Sequence, residues 1–237
     1  MSLLDQHDQY MARAPQWKRG RDVIEGQDAV HSGKEVYLPR LDGQNDKQYD
    51  SYRHRARFFN ASDRTVRGMI GLVTRKETRV EPDDTEYEDD VSHNGTSMGE
   101  YAQDVLEQLL VTGRAGTLLD YPTEIEAQTV AQAEALGATP MMAMYVAEAI
   151  IDWNYKFINN KYQLIRVFLF DGVDSQDSDN LKYHYRELLL EEGVYTQRLY
   201  VGNDISAEPQ LVNEIIPKMN GSVLRAIPFE FHGITAR

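Results

Sequence analysis

The 237-residue chain has no cysteine and 41% hydrophobic residues, which excludes disulfide and thiolate chemistry and supplies enough apolar surface for a folded core. Its net charge of −13 is uneven: residues 1–76 hold 14 Lys and Arg against 10 Asp and Glu, a balance of +4, whereas the rest hold 11 against 28, a balance of −17. So acidic a body repels a phosphate backbone, which argues against a tight, sequence-independent nucleic-acid binder but not against a surface along which DNA passes.

No run approaches the roughly 18 apolar residues that span a bilayer, and the first residues lack the apolar stretch of a signal peptide. In chain order, the first predicted helix covers 16–32 after Pro15, with Trp17, Val23, Ile24 and Val30 inward and Gly33 as its stop. Val36-Tyr37-Leu38-Pro39 reads as extended.

Two helices with unusual faces follow. Over 49–59, Tyr49, Tyr52, Ala56 and Phe59 form one stripe, while Arg53 and Arg57 lie four apart on another. Over 62–75, capped by Asn60 and favoured by Asp63 in the first turn, Val66, Met69, Ile70 and Val73 share one side. Arg64, Gly68, Gly71 and Arg75 line the other side. The two helices are expected to pack together and bury Tyr52, Phe59, Met69, Ile70 and Val73. Each helical glycine costs about 1 kcal/mol relative to alanine, so a face carrying two asks for a reason. Close helix packing is the favoured reason, with a subunit or nucleic-acid contact as the alternative.

Asp83, Asp84, Glu86, Glu88, Asp89 and Asp90 read as a solvated acidic loop, because calcium coordination would need spaced oxygen ligands and a central glycine. Ser97 and Glu100 make a capping box for a helix that Gly113 ends, and Ala115–Asp120 follows as a short buried strand. Thr123 and Glu126 offer a second capping box for an alanine-rich helix closed by Gly137 and Pro140. Beyond it the texture is strands: 142–146, 150–155, 162–170, 182–190 and 194–201, with turns at Asn159-Asn160 and Glu192-Gly193. A polar loop is expected at 171–180, and 206–220 shows no clear pattern. The fold class is therefore α+β, a single unit with a helical part over about 1–138 and a mainly antiparallel part over about 139–237.

Signatures of catalysis are sparse. The six histidines are scattered without metal-site spacing. Gly113-Arg114-Ala115-Gly116 lies between helix and strand, the reverse of a phosphate loop's order. The best enzymatic constellation is Asp120 and Asp152 near strand ends, with Glu148 close in sequence, which could hold Mg²⁺ for phosphodiester hydrolysis. Aspartate is also an ordinary turn residue, and that reading is favoured. Tyr183, Tyr185, Tyr195 and Tyr200 are better explained by cross-strand packing than by base stacking, since Glu187, Glu191 and Glu192 surround them.

Several segments occur together in one order: Tyr37-Leu38-Pro39-Arg40-Leu41, Tyr49 to Asn60, Thr65 to Gly71, Gly113 to Pro122, Ile150-Ile151-Asp152-Trp153 and Ile227-Pro228-Phe229. Over about residues 15–231 this combination resembles the portal-like, head-to-tail connector family of tailed bacteriophages, in its N-terminal wing portion. Portal proteins form a ring, usually dodecameric, at one capsid vertex, through which DNA is packaged and ejected. The resemblance implies a structural, non-enzymatic virion protein without cofactor or metal, assembled in the host bacterial cytoplasm. Its partners would be further copies of itself, capsid, terminase and tail proteins, and duplex DNA passing through without specific binding. Arg53, Arg57, Arg64, Gly68, Gly71 and Arg75 are the candidate subunit-interface residues. The stem and clip of portals have no counterpart here, which implies a fragment or a short member, expected to be monomeric or weakly associated in dilute solution. The competing classes are a metal-dependent phosphodiester enzyme using Asp120 and Asp152, and a phage adaptor or scaffold that forms no ring.

Overall fold

The computed structural model describes residues 2–76, 88–121, 139–158, 160–174, 181–219 and 221–233. Helices come first and antiparallel strands follow, so the fold is α+β. Among the described residues the α-helices are α1 (Asp8–Glu25), α2 (Gln27–Ser32), α3 (Asp46–Arg55), α4 (Ala61–Val73) and α5 (Met98–Thr112). Among the described residues no helix is long and apolar enough to cross a membrane.

Pro15 does not start a helix but lies inside α1, which begins eight residues earlier than the sequence suggests. His7 caps it, its Nδ1 accepting from the Gln9 N–H, and burial of Trp17 edge-on to Tyr10 offsets the hydrogen bond that a proline cannot donate. Gly26, at φ 104°, then breaks what the sequence presents as one helix into α1 and α2. Residues 34–36 form a single 3₁₀ turn and Tyr37 keeps a helical backbone, at φ −112° and ψ −27°, so the segment expected to be extended over 36–39 does not begin so. The predicted helix at 123–137 and half of the acidic run, Asp83, Asp84 and Glu86, lie outside the described residues.

α5 matches its sequence signals. Ser97 and Glu100 form the reciprocal capping box, and Gly113 closes the helix in the left-handed region at φ 74°. The chain turns directly into β1 (Arg114–Asp120), the centre of a three-stranded antiparallel sheet between β2 (Met141–Val146) and β10 (Phe229–Gly233). Tyr101 of α5 and His232 of β10 both hydrogen-bond the Thr117 hydroxyl, at 2.6 and 2.8 Å.

The second sheet is a five-stranded meander of β3 (Ile150–Ile158), β4 (Lys161–Asp174), β5 (Lys182–Glu191), β6 (Val194–Gly202) and β7 (Gln210–Ile215) in that order. Glu192 and Gly193 turn β5 into β6, both with positive φ, as a tight hairpin requires. A small ribbon, β8 (Lys218–Met219) with β9 (Ser222–Val223), follows. Part of the expected polar loop at 171–180 is strand: β4 runs to Asp174 through a bulge at Asp171, next to Gly172 at φ 119°.

The core lies where the two sheets meet. Leu118, Tyr145, Phe229 and Phe231 of the small sheet pack with Ile150, Trp153, Val167, Leu169, Leu188 and Tyr195. Gly116 makes this possible, because a Cβ there would collide with the Phe229 ring and crowd Ile150. Ile151, Phe168, Tyr185 and Tyr200 form a second apolar cluster. Tyr185 lies parallel to Phe168 with ring centres 5.6 Å apart, so the tyrosine series serves packing, as its alternation suggests.

Candidate subunit interface

Asn45 and Gln48 form a reciprocal capping box at the start of α3. Its inward residue is Tyr49, whose hydroxyl donates to Leu38 O and whose ring carries the Arg40 guanidinium 4.7 Å from its centre. The helix stops at Arg55, and Ala56 turns extended, at φ −59° and ψ 133°. The expected stripe is cut there: Arg57 lies beyond the helix, and Phe59 projects outward with 78% of its surface exposed.

Asn60 carries out two tasks. Its Oδ1 accepts from Asp63 N–H and caps α4, while its Nδ2 donates to Ile24 O near the end of α1. That fixes where α4 begins, and α4 then leans on α1 and α5 rather than on α3. Val66 faces a shallow groove shared with Val23, Ile24, Leu110 and Val111, and Ile70 is half-buried. The last turns receive no such cover. Met69, Leu72 and Val73 are 44%, 72% and 61% exposed, so the expected burial of Met69, Val73 and Phe59 does not occur. Tyr52 and Ile70 are only half-buried. The expectation fails because the helix pair was inferred from matching periodicities, whereas the early end of α3 and the Asn60 tether send α4 elsewhere.

The glycines are the decisive observation on this face. A Cβ placed on Gly68 or Gly71 would meet nothing within 4 Å among the described residues. Close packing within the chain, the favoured explanation, therefore does not account for them. Arg64 precedes Gly68 by one turn on the same exposed side, whereas Arg75 lies two residues beyond the end of the helix, exposed; neither makes an ion pair among the described residues, nor does Arg57. Arg67, next to this face, is held by Asp63 at 2.8 Å, which raises its pKa through that hydrogen bond. Arg53 is separate: it pairs with Asp50 at 3.5 Å and borders an open groove of about 590 Å³ with Lys34, Glu35, Arg40 and Asp46. The six candidates thus divide into one surface, Arg64-Gly68-Gly71-Arg75, and two residues away from it.

Asp120 and Asp152 do not converge. Consecutive β5 residues point to opposite faces of the sheet, and each aspartate belongs to a different one. On the core face Arg186 bonds Asp120 at 2.5 Å and Asp171 at 2.9 Å, while Gln197 donates to Asp120 and Tyr145 to Asp171. Burial and the adjacent Asp171 carboxylate push the Tyr145 hydroxyl far above its ordinary value. On the opposite face Arg166 bridges Asp152 and Glu187, and Tyr200 donates to Glu187 at 2.8 Å, its own pKa pushed up to about 12 by burial and by that carboxylate. Each arginine sits between two carboxylates. Glu148, the third candidate, takes both of its hydrogen bonds from Arg21 at 2.9 Å; burial works to raise its pKa, but those bonds hold it below the ordinary value. Among the described residues no group of three or more His, Cys, Asp or Glu side chains is placed to hold a metal ion.

These networks were not legible in the sequence, because they join residues from six strands, β1 to β6. The bulge that aims Asp171 leaves only Gly172 as a local sign.

No family model and no curated protein matches the chain.

Proposed function

We propose that the chain is a ring-forming structural subunit of the phage portal type, and that the Arg64-Gly68-Gly71 face of α4, with Arg75 just beyond the helix end, is a contact between neighbouring copies. The observation that carries the proposal is the pair of helical glycines whose Cβ positions meet no other atom among the described residues. Two such residues lower helix stability without relieving any crowding among the described residues. They become intelligible if another backbone approaches there. Exposed Leu72 borders the same face and supplies apolar area, and the flanking arginines suit an acidic partner surface. The chain itself offers one, with a balance of −17 outside residues 1–76. Electrostatic pairing of this kind sets register and weakens with salt.

Nuclease chemistry draws no support from the two aspartates, which lie on opposite sheet faces and each contact an arginine.

Light scattering at rising protein concentration and low salt, combined with negative-stain electron microscopy, tests the proposal. Concentration-dependent association into closed rings, weakened by Gly71→Leu and by Arg64→Glu with Arg75→Glu, is expected. Association that both variants leave untouched would remove α4 from the interface. A monomer at every concentration and salt would remove self-assembly by this chain.

A further inference from the structure

Residues 2–7 form a strap across the five-stranded sheet. At one end Glu208, in the connection between β6 and β7, accepts from the Ser2 hydroxyl and, at 2.8 Å, from the Leu3 N–H. Leu3 and Leu4 then lie on the aromatic cluster of Phe168, Tyr185 and Tyr200. The strap passes the β3 edge, where His7 N–H bonds Ile151 O at 3.1 Å, and enters α1 on the core side, where Tyr10 joins the main cluster.

His7 is the fastening at that crossing. Its imidazole lies nearly parallel to the Trp153 ring, with centres 3.8 Å apart and a 14° tilt. Its Nδ1 is also the acceptor that caps α1, bonding Gln9 N–H at 3.1 Å. An imidazolium cannot accept there, because both ring nitrogens then carry protons. We infer that residues 2–7 are an acid-released strap, closed while His7 is neutral and freed when His7 gains its second proton, baring the Phe168–Tyr185–Tyr200 surface.

The surroundings of His7 are mixed in charge. Asp8 on α1 and Asp152 on β3 favour the imidazolium. Arg114 on β1, with its guanidinium 4.3 Å from the Trp153 ring centre, opposes it. Burial is the largest influence, and the balance leaves the His7 pKa below its ordinary value. A group whose pKa is depressed on folding contributes stability that is present above its unfolded pKa and lost as pH falls through its folded pKa. The neutral, fastened form therefore prevails at neutral pH, and release begins below the ordinary imidazole range near 6.5. Glu208 reinforces the same direction further down. The hydrogen bonds from Ser2 and Leu3 depress its carboxyl pKa, so that anchor is lost only below the ordinary carboxylate range.

The test follows wild-type protein from pH 7.5 to 5. His7 is titrated by NMR, and exchange of the amides within residues 3–9 is read after correction for intrinsic rates. The expected result is a loss of protection that begins as the pH falls below the ordinary imidazole value near 6.5, deepens by up to about tenfold per pH unit and levels off once His7 has titrated, with dye binding to the bared aromatic surface. His7→Asn keeps a capping acceptor that does not titrate, so its protection and dye binding should be flat with pH over this range. Strap protection that stays constant while His7 titrates, or a step that persists in the His7→Asn variant, overturns the inference.

Discussion

α4 and α5 both begin at a side-chain cap, and both carry apolar residues at three- and four-residue spacing, but they finish differently. α5 buries Tyr101 against β1 and leaves Val105, Leu106, Leu109 and Leu110 half-buried. α4 has no buried residue, and its two central glycines face open space. The difference separates apolar patterning that the chain uses to fold from apolar patterning that it does not use. Amphipathic periodicity shows that a helix has a preferred side; it does not show whether that side is covered by the same molecule.

The largest test of this contrast lies in the covered region. Arg186→Met strips the guanidinium from between Asp120 and Asp171 and leaves two carboxylates at the sheet junction. A loss of about 3–5 kcal/mol is expected in urea unfolding, as for other buried pairs deprived of one partner. A loss below 1 kcal/mol would show that the junction tolerates the uncompensated charge. Next comes Gly116→Ala, where the added methyl must displace Phe229. About 1–3 kcal/mol of destabilisation is expected, measured the same way.

On α4 the sign should reverse. Gly71→Ala adds a methyl into open space, so the dissociated chain should gain about 1 kcal/mol from helix propensity, seen as a higher midpoint in dilute thermal unfolding. A loss there would mean that the face is already covered within the chain. The smallest effect is expected from Leu72→Ala, within about 0.5 kcal/mol for the dissociated chain because the side chain is largely exposed. If Leu72→Ala nevertheless lowers self-association by light scattering, the contrast between the helices is sharpened into one between folding and assembly.

Much of the fold was legible because its signals are local. Ser97, Glu100 and Gly113 frame α5 as expected, and β3 to β6 of the meander fall within a few residues of their predicted spans, with Glu192-Gly193 at the hairpin, whereas β7 lies in the stretch where the sequence shows no clear pattern. What escaped depends on distant partners. Pro15 is tolerated because Trp17 and Tyr10 meet the sheet, and Phe59 is exposed because Asn60 bonds Ile24 O. At the candidate interface the sequence grouped Arg64, Gly68, Gly71 and Arg75 through helical period alone, but it could not separate them from Arg53 and Arg57 without knowing where α3 ends.

The position of β10 has a kinetic consequence. β1 is the middle strand of its sheet, but one of its two neighbours is supplied by residues 229–233, more than a hundred positions further along the chain. On a ribosome adding about 5–20 residues per second, β1 and its partner β2 would wait several seconds with one edge open and without Phe229 and Phe231 to fill the junction. Closing so long a loop comes late in folding and slows it relative to the neighbouring hairpins of the meander. During that interval the nascent chain presents an unpaired strand edge beside exposed core residues, and this is the stage at which chaperone engagement or misassembly would act.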